Sequence, residues 1–250
     1  MKVLISILIG LLVVGCGGKG IEIANPKVEK GIRSELNKWE GKLTEADLEK
    51  ITFLSLSTRF LTDLNGEDLQ NLTQLKELSI RLNQLTKFPE GLEKLAQLEA
   101  LDLGYNNLTD LTGLEKLTKL KELYLGGNEF LFNELNDVKG LENLEKLTNL
   151  EELHIANNQL TKYPAGLEKL TKLKWLDLNL NKLKTVAGLE KLTNLEHLNL
   201  RDNQLTSVTG LEKLTKLKGL SLQGNQLTKA QIDALQKALP NCNIYSNPTK

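Results

Sequence analysis

A chain of 250 residues with 32 basic and 32 acidic side chains carries no net charge, which removes the electrostatic footprint that nucleic-acid binding requires. Its two cysteines, Cys16 and Cys242, stand near opposite ends and cannot supply a disulfide framework. Aromatic residues make up only 4% while leucine recurs throughout, a bias that points to repetition.

At the N-terminus, Lys2 precedes an almost wholly apolar run over residues 3–14 that ends in small residues, the layout of a secretory signal. As a helix those twelve residues rise about 18 Å, short of the ~30 Å hydrocarbon core, so a permanent membrane span is disfavoured. Residues 15–20, GCGGKG, match the G-x-G-x-x-G phosphate cradle in letters only, because no strand-turn-helix unit follows. The end of the run, Val13-Val14-Gly15-Cys16, resembles the lipobox of bacterial lipoproteins. That resemblance implies that residues 1–15 are a signal peptide cleaved before Cys16, with acyl chains placed on Cys16 and a tether over residues 16–24. Gly17 directly after the cysteine resembles lipoproteins sorted to an outer membrane.

Residues 25–50 form an N-terminal cap. Asn25-Pro26 marks a helix start, Val28, Ile32 and Leu36 form its apolar stripe, and Trp39 is expected to cover the first coil. Thr44 begins a second helix whose capping box carries Asp47 at the fourth place.

From residue 51 to 228 one pattern recurs: L-x-x-L-x-L-x-x-N-x-L, a polar turn, then G-L-E-K-L-T. Its copies begin at Ile51, Leu75, Leu98, Leu120, Leu150, Leu173, Leu195 and Leu217, at intervals of 22 to 24 residues except for one of 30. Leu98, Leu101 and Leu103 have strand spacing and point inward. Asn83, Asn106, Asn128, Asn158, Asn181, Asn203 and Asn225 follow where the chain must turn, and a buried amide has donors and an acceptor for the backbone groups left unpaired there. The G-L-E-K-L-T segments predict short helices or 3-10 turns on the outer side, with i,i+4 pairs Glu115–Lys119, Glu168–Lys172 and Glu212–Lys216.

This pattern resembles the leucine-rich repeats of bacterial internalins, over about four fifths of the chain. The resemblance implies an α/β solenoid: a horseshoe with a parallel concave sheet of about eight strands, a helical N-terminal cap and a helix-plus-strand C-terminal cap. Two departures stand out. Arg59 replaces the asparagine of the first repeat, predicting an irregular turn, and the longest interval holds about eight extra residues around residues 130–135, a tolerated insertion or a contact loop. At the C-terminus, residues 229–250 form the second cap: a helix over 229–239 stopped by Pro240, then Cys242, Ile244 and Tyr245 expected to cover the last coil.

With the leucines inward, repeat positions three, five, seven and eight face the concave side. They hold Phe53, Tyr105, Tyr124, Trp175 and both histidines, His154 and His197, a concentration typical of interaction surfaces. Tyr124, His154, Asp177 and Asn199 occupy the same position on successive strands, with Trp175 and His197 as lateral neighbours. Tyr105, Tyr124, His154, Trp175, Asp177 and His197 form the candidate contact set, with Asp102 and Arg201 at its edge. His154, Asp177 and His197 are too few and too unsupported for a metal site, and no metal or cofactor is assigned.

Ser221 sits mid-strand in G-L-S-L-Q, lacking the final glycine of a nucleophile elbow, and no other catalytic constellation emerges. The expectation is therefore a monomeric, lipid-anchored, non-enzymatic protein of the bacterial cell envelope that binds a protein partner on its concave face. A structural envelope component and a small-molecule or metal receptor are the alternatives.

Overall fold

The computed structural model describes residues 20–127 and 140–248. The signal peptide, Cys16, most of the tether, Asn128 and the extra residues 130–135 lie outside the described residues.

Helices α1 (Pro26–Leu36) and α2 (Glu45–Leu48) are followed by eight coils, each with a three-residue strand: β1 (Phe53–Ser55), β2 (Glu77–Ser79), β3 (Ala100–Asp102), β4 (Glu122–Tyr124), β5 (Glu152–His154), β6 (Trp175–Asp177), β7 (His197–Asn199) and β8 (Gly219–Ser221). Helix α3 (Lys229–Ala238) and β9 (Asn243–Tyr245) close the chain. All nine strands pair in parallel, in sequence order. Register is pinned by a leucine column, Leu54, Leu78, Leu101, Leu123, Leu153, Leu176, Leu198 and Leu220, ending at Ile244. A slip of one residue would expose that column, so one buried face fixes the pairing.

Leucines alone cannot turn the chain, because each turn leaves polar backbone inside the core. The asparagine at position nine resolves this. Asn181 donates to the carbonyls of Ile155 in the coil before and Leu178 in its own, both at 3.0 Å, and accepts from Leu160 N–H at 2.9 Å and Asn158 N–H at 3.2 Å. Asn83, Asn106, Asn203 and Asn225 repeat the two donations and the acceptance from the previous coil. Asn158 also donates to the previous coil through Leu125 O, and its Oδ1 has no partner among the described residues. Arg59 cannot act this way; its coil turns with left-handed Thr58 (φ 58°) and Phe60 (φ 53°), as the Asn158 coil does with Asn157 (φ 54°) and Gln159 (φ 56°).

The outer side consists of 3-10 turns such as Leu114–Lys116 and Leu211–Lys213; the first, Gly66–Asp68, is opened by Asn65, and the later ones by a glycine at positive φ (107° at Gly113 and Gly210), a conformation that disfavours a side chain. The i,i+4 ion pairs do not form there. Glu115 and Glu212 turn back to accept from the N–H groups of Gly113 and Gly210, while Lys119, Lys172 and Lys216 reach across to Gln97, Asn149 and Asn194 of the preceding coils. A three-residue 3-10 turn does not place residues four apart on one face, so these five side chains find other partners.

Both caps are helical. Asn25 caps α1, which buries Val28 and Ile32 against the first coil, and Asp47 closes the box with Thr44. Hydrogen bonds from Lys38 and Thr44 hold the Asp47 carboxyl well below the usual carboxylate range. Trp39 does not cover the first coil. It follows the left-handed residue Asn37 that reverses the chain and stands 57% exposed. Tyr245 is likewise exposed, because strand alternation sends Ile244 inward and its neighbour to the concave side. Cys242 is buried beneath α3, and burial pushes its thiol pKa up. Among the described residues, no helix is long and apolar enough to cross a membrane.

Replacing Asn181 by Ala leaves four backbone groups in two coils without their partner, so unfolding in urea should show a loss of about 3 kcal/mol or more. A change within ~0.5 kcal/mol, the level of an ordinary surface substitution, would contradict the bridging role.

Candidate functional site

The strands present positions three and five outward on the concave face. Tyr124 of β4 is paired with His154 of β5, His154 with Asp177 of β6, and Trp175 of β6 with His197 of β7. This register assembles an aromatic ladder. The Tyr124 and His154 rings stack at 4.5 Å between centroids and 14° between planes; His154 and Trp175 follow at 6.2 Å, and Trp175 and His197 at 4.6 Å. Four rings thus stand side by side across four coils, and Trp175 is 39% exposed. Offset ring pairs of this kind contribute only modestly beyond the area they bury. The fold could be held without them.

Beside the ladder the floor is hollow. Position seven holds Gly104, Gly126 and Ala156 in three successive coils, with Arg81 before them and Asn179 after. The result is a cavity of about 420 Å³ bounded by Arg81, Tyr105, Tyr124, His154, Asp177 and Leu180. A Cβ added at Gly126 would meet only the Ala156 carbonyl, 3.4 Å away, so the backbone does not require glycine there. At Gly104, by contrast, an added Cβ would come within 3.0 Å of Asp102 Oδ1 and 3.2 Å of the Gly126 carbonyl, so a small residue is favoured there.

Position eight leaves the sheet. Leu82, Tyr105, Asn157, Leu180 and Asp202 all have φ between 51° and 58°. Tyr105 therefore stands on the rim instead of the sheet face, with the Arg81 guanidinium 3.9 Å above its ring. A bulky leucine is strained in this conformation, yet Leu82 and Leu180 adopt it and leave 42% and 44% of their surface exposed.

The remaining members of the contact set have local ties. Asp102 accepts from Gly104 N–H at 2.9 Å and lies 3.3 Å from the Ser79 hydroxyl, while burial raises its pKa. Arg201 is bound to Asp202 at 2.9 Å and takes no part in the ladder. The Tyr124 hydroxyl donates to Glu122 at 3.2 Å, and burial, with Glu122 and Glu152 beside it, drives its pKa upward. His154 Nδ1 lies 3.9 Å from Asp177 and Nε2 3.7 Å from Glu152; Nε2 is shut from solvent and makes no hydrogen bond. The Trp175 ring stands between the two imidazoles, so His154, Asp177 and His197 do not converge on one point, and among the described residues no cluster could hold a metal ion.

The sequence reading missed Arg81, the acidic pair Glu122 and Glu152, and the floor. Small residues at position seven in three consecutive repeats were the available signal.

The leucine-rich repeat family model matches residues 49–108, 73–130 and 148–205, and a second, two-copy leucine-rich repeat model matches residues 193–241. A protein phosphatase 1 regulatory inhibitor subunit homologue of Arabidopsis thaliana is 32% identical over 145 residues, covering 56% of this chain and 41% of that protein. Human leucine-rich repeats and immunoglobulin-like domains protein 3 is 30% identical over 131 residues, 49% of this chain and 11% of that one. The chain thus spans less than half the length of either relative. Among solved structures, internalin C2 of Listeria monocytogenes has TM-score 0.70 at 23% identity, covering 90% of this chain and 93% of that chain, a likeness of fold. A leucine-rich repeat protein of Leptospira interrogans has TM-score 0.63 at 28% identity, covering 81% and 56%. The leucine-rich repeat ectodomain of the receptor kinase GASSHO1 of Arabidopsis thaliana, solved in complex with Casparian strip integrity factor 2, has TM-score 0.56 at 31% identity, covering 75% and 23%.

Adjacent residues on β6 separate surface from core. Trp175→Ala should cost about 1 kcal/mol, the scale of exposed ring contacts, whereas Leu176→Ala should cost about 2–5 kcal/mol through a buried cavity. Thermal melts of the two proteins check this; equal losses would mean that the ladder belongs to the core.

Proposed function

We propose, since this chain belongs to the leucine-rich repeat family, a family of protein-interaction modules with no enzymatic role of its own, that it binds a protein partner through its concave face. One observation carries the reading. The aromatic ladder of Tyr124, His154, Trp175 and His197 stands beside a pre-formed hollow, with Leu180 in strained backbone at its edge. Exposed aromatic rings bury large area at little conformational cost, and a pre-formed hollow lowers the ordering cost of binding. The GASSHO1 ectodomain with its bound factor is a precedent for a ligand held by such repeats.

The second part of the proposal is the address. Val13-Val14-Gly15-Cys16 after an apolar run supports lipid attachment at Cys16 in a bacterial envelope, with an outer-membrane destination favoured by Gly17. A solenoid on a glycine-rich leash would then display its concave face to partners near the membrane.

Gly126→Leu extends a side chain into the hollow from a position where an added Cβ meets only the Ala156 carbonyl, at ordinary contact distance. It should leave the melting temperature unchanged or higher and abolish photo-crosslinking of a partner to a probe placed at Asn179. Undiminished crosslinking in Gly126→Leu would remove the hollow from the binding surface. Separately, labelled palmitate fed to expressing bacteria should be incorporated into the wild-type protein and not into Cys16→Ser; equal labelling of both would refute attachment at that residue.

A further inference from the structure

Charge on this molecule is arranged in two adjacent rows that follow opposite rules. Immediately before the strands, at position two, successive coils carry Lys76, Glu99, Lys121, Glu151, Lys174, Glu196 and Lys218, a strict alternation of sign. Neighbours in that row pair at 2.6 Å (Lys121–Glu99), 2.5 Å (Lys174–Glu151) and 2.5 Å (Lys218–Glu196). One residue further on, the rule breaks. Glu122 and Glu152 are direct register partners on β4 and β5, so two like charges sit side by side on neighbouring strands. Like charges directly opposite destabilise a sheet.

The break is confined to the ladder. At positions three, five and seven of β3 to β6 the chain carries Asp102, Glu122, Glu152 and Asp177 and no lysine or arginine. Asp102 is occupied by Gly104 and Ser79, and Glu122 takes the Tyr124 hydroxyl. Within the face itself Asp177 accepts from Asn179, and the His154 imidazole lies 3.7 Å from Glu152 and 3.9 Å from Asp177. Arg81 and Arg201 bracket the region from either side, held by the Tyr105 ring and by Asp202. A chain whose charges sum to zero therefore gathers four carboxylates, with no lysine or arginine at the same positions, where its aromatic rings stand.

We infer that the partner segment on the concave face is cationic, an extended stretch presenting arginine side chains to Glu122, Glu152 and Asp177 and to the rings of Tyr124 and Trp175. This rests on the concave-face reading and specifies the chemistry of its partner. A guanidinium suits the place better than an ammonium, because it donates in a planar fork to carboxylates and also lies flat on aromatic rings. An extended strand repeats every second side chain at about 7 Å, within reach of groups spread over neighbouring coils.

The test uses the purified protein and fluorescent serine peptides with arginine, lysine or glutamate at alternate positions, read by anisotropy. The arginine peptide should bind more tightly than the lysine peptide, the glutamate peptide should not bind, and affinity should fall as salt is raised above ~0.15 M. Glu122→Gln with Glu152→Gln should weaken arginine-peptide binding by about tenfold or more. Glu168→Gln with Asp233→Asn, which removes the same charge elsewhere, should not. An equal loss in that second protein, or no arginine-peptide binding by the wild type, would overturn the inference. So would glutamate-peptide binding, but if it were then lost in Tyr124→Ala with Trp175→Ala, the concave-face reading would stand while the cationic partner fell. Arginine-peptide binding indifferent to both the charge and the aromatic substitutions would overturn both.

Discussion

The constraint on which everything else rests is that each coil must reverse direction inside an apolar core without leaving backbone groups unpaired. Leucine supplies the burial and cannot supply the hydrogen bonds. The asparagine amide does, and it does so across two coils at once: Asn203 donates to Leu178 of the coil before and Leu200 of its own, and accepts from Leu183. Turn and stacking are therefore one interaction. Because the same amide that closes a coil also fixes its neighbour, the register of the sheet is set from the turn as well as from the leucine column.

That coupling explains why the concave face is free to vary. Strand alternation divides each coil into inward residues that carry the stability and outward residues that carry almost none. A column of identical positions on the outer side can thus hold Tyr124, His154, Asp177 and Asn199 in a row without cost to the core beneath, which stays Leu123, Leu153, Leu176 and Leu198 throughout. Departures from the repeat on this face, such as glycine at 126 or leucine in left-handed backbone at 82 and 180, have no counterpart in the packing that would call for them.

Much of the architecture was legible in the sequence because it follows from period and polarity. The strand starts, the inward leucines, the asparagine column and the caps all depend on local spacing. What escaped depends on conformation. Position eight was assigned to the sheet face by alternation, but a left-handed residue there lifts Tyr105 to the rim. The glutamates of the outer turns were paired with lysines four residues on as if in an α-helix, whereas the 3-10 turn aims Glu115 at its own glycine N–H. Trp39 and Tyr245 were expected to cover the ends because they are large and apolar, yet both face out, one after a chain reversal and one by alternation. The site was harder for a related reason: attention to what aromatic side chains add overlooked what Gly104, Gly126 and Ala156 leave empty.

The two charge rows bear on how such a surface can exist at all. A parallel sheet sets each side chain about 4.8 Å from its copy in the next coil, so any charged position repeated along a solenoid becomes a line of like charges. Alternating Lys and Glu at position two removes that repulsion, and each pair, though exposed and individually weak, favours the native stacking over a slip by one coil, which would oppose like charges along the whole row. With register secured by the asparagines, the leucines and this row, Glu122 and Glu152 can lie against each other without endangering the fold. Local repulsion on one face is tolerable only where the rest of the coil is over-determined, and here the repulsion falls beside the rings.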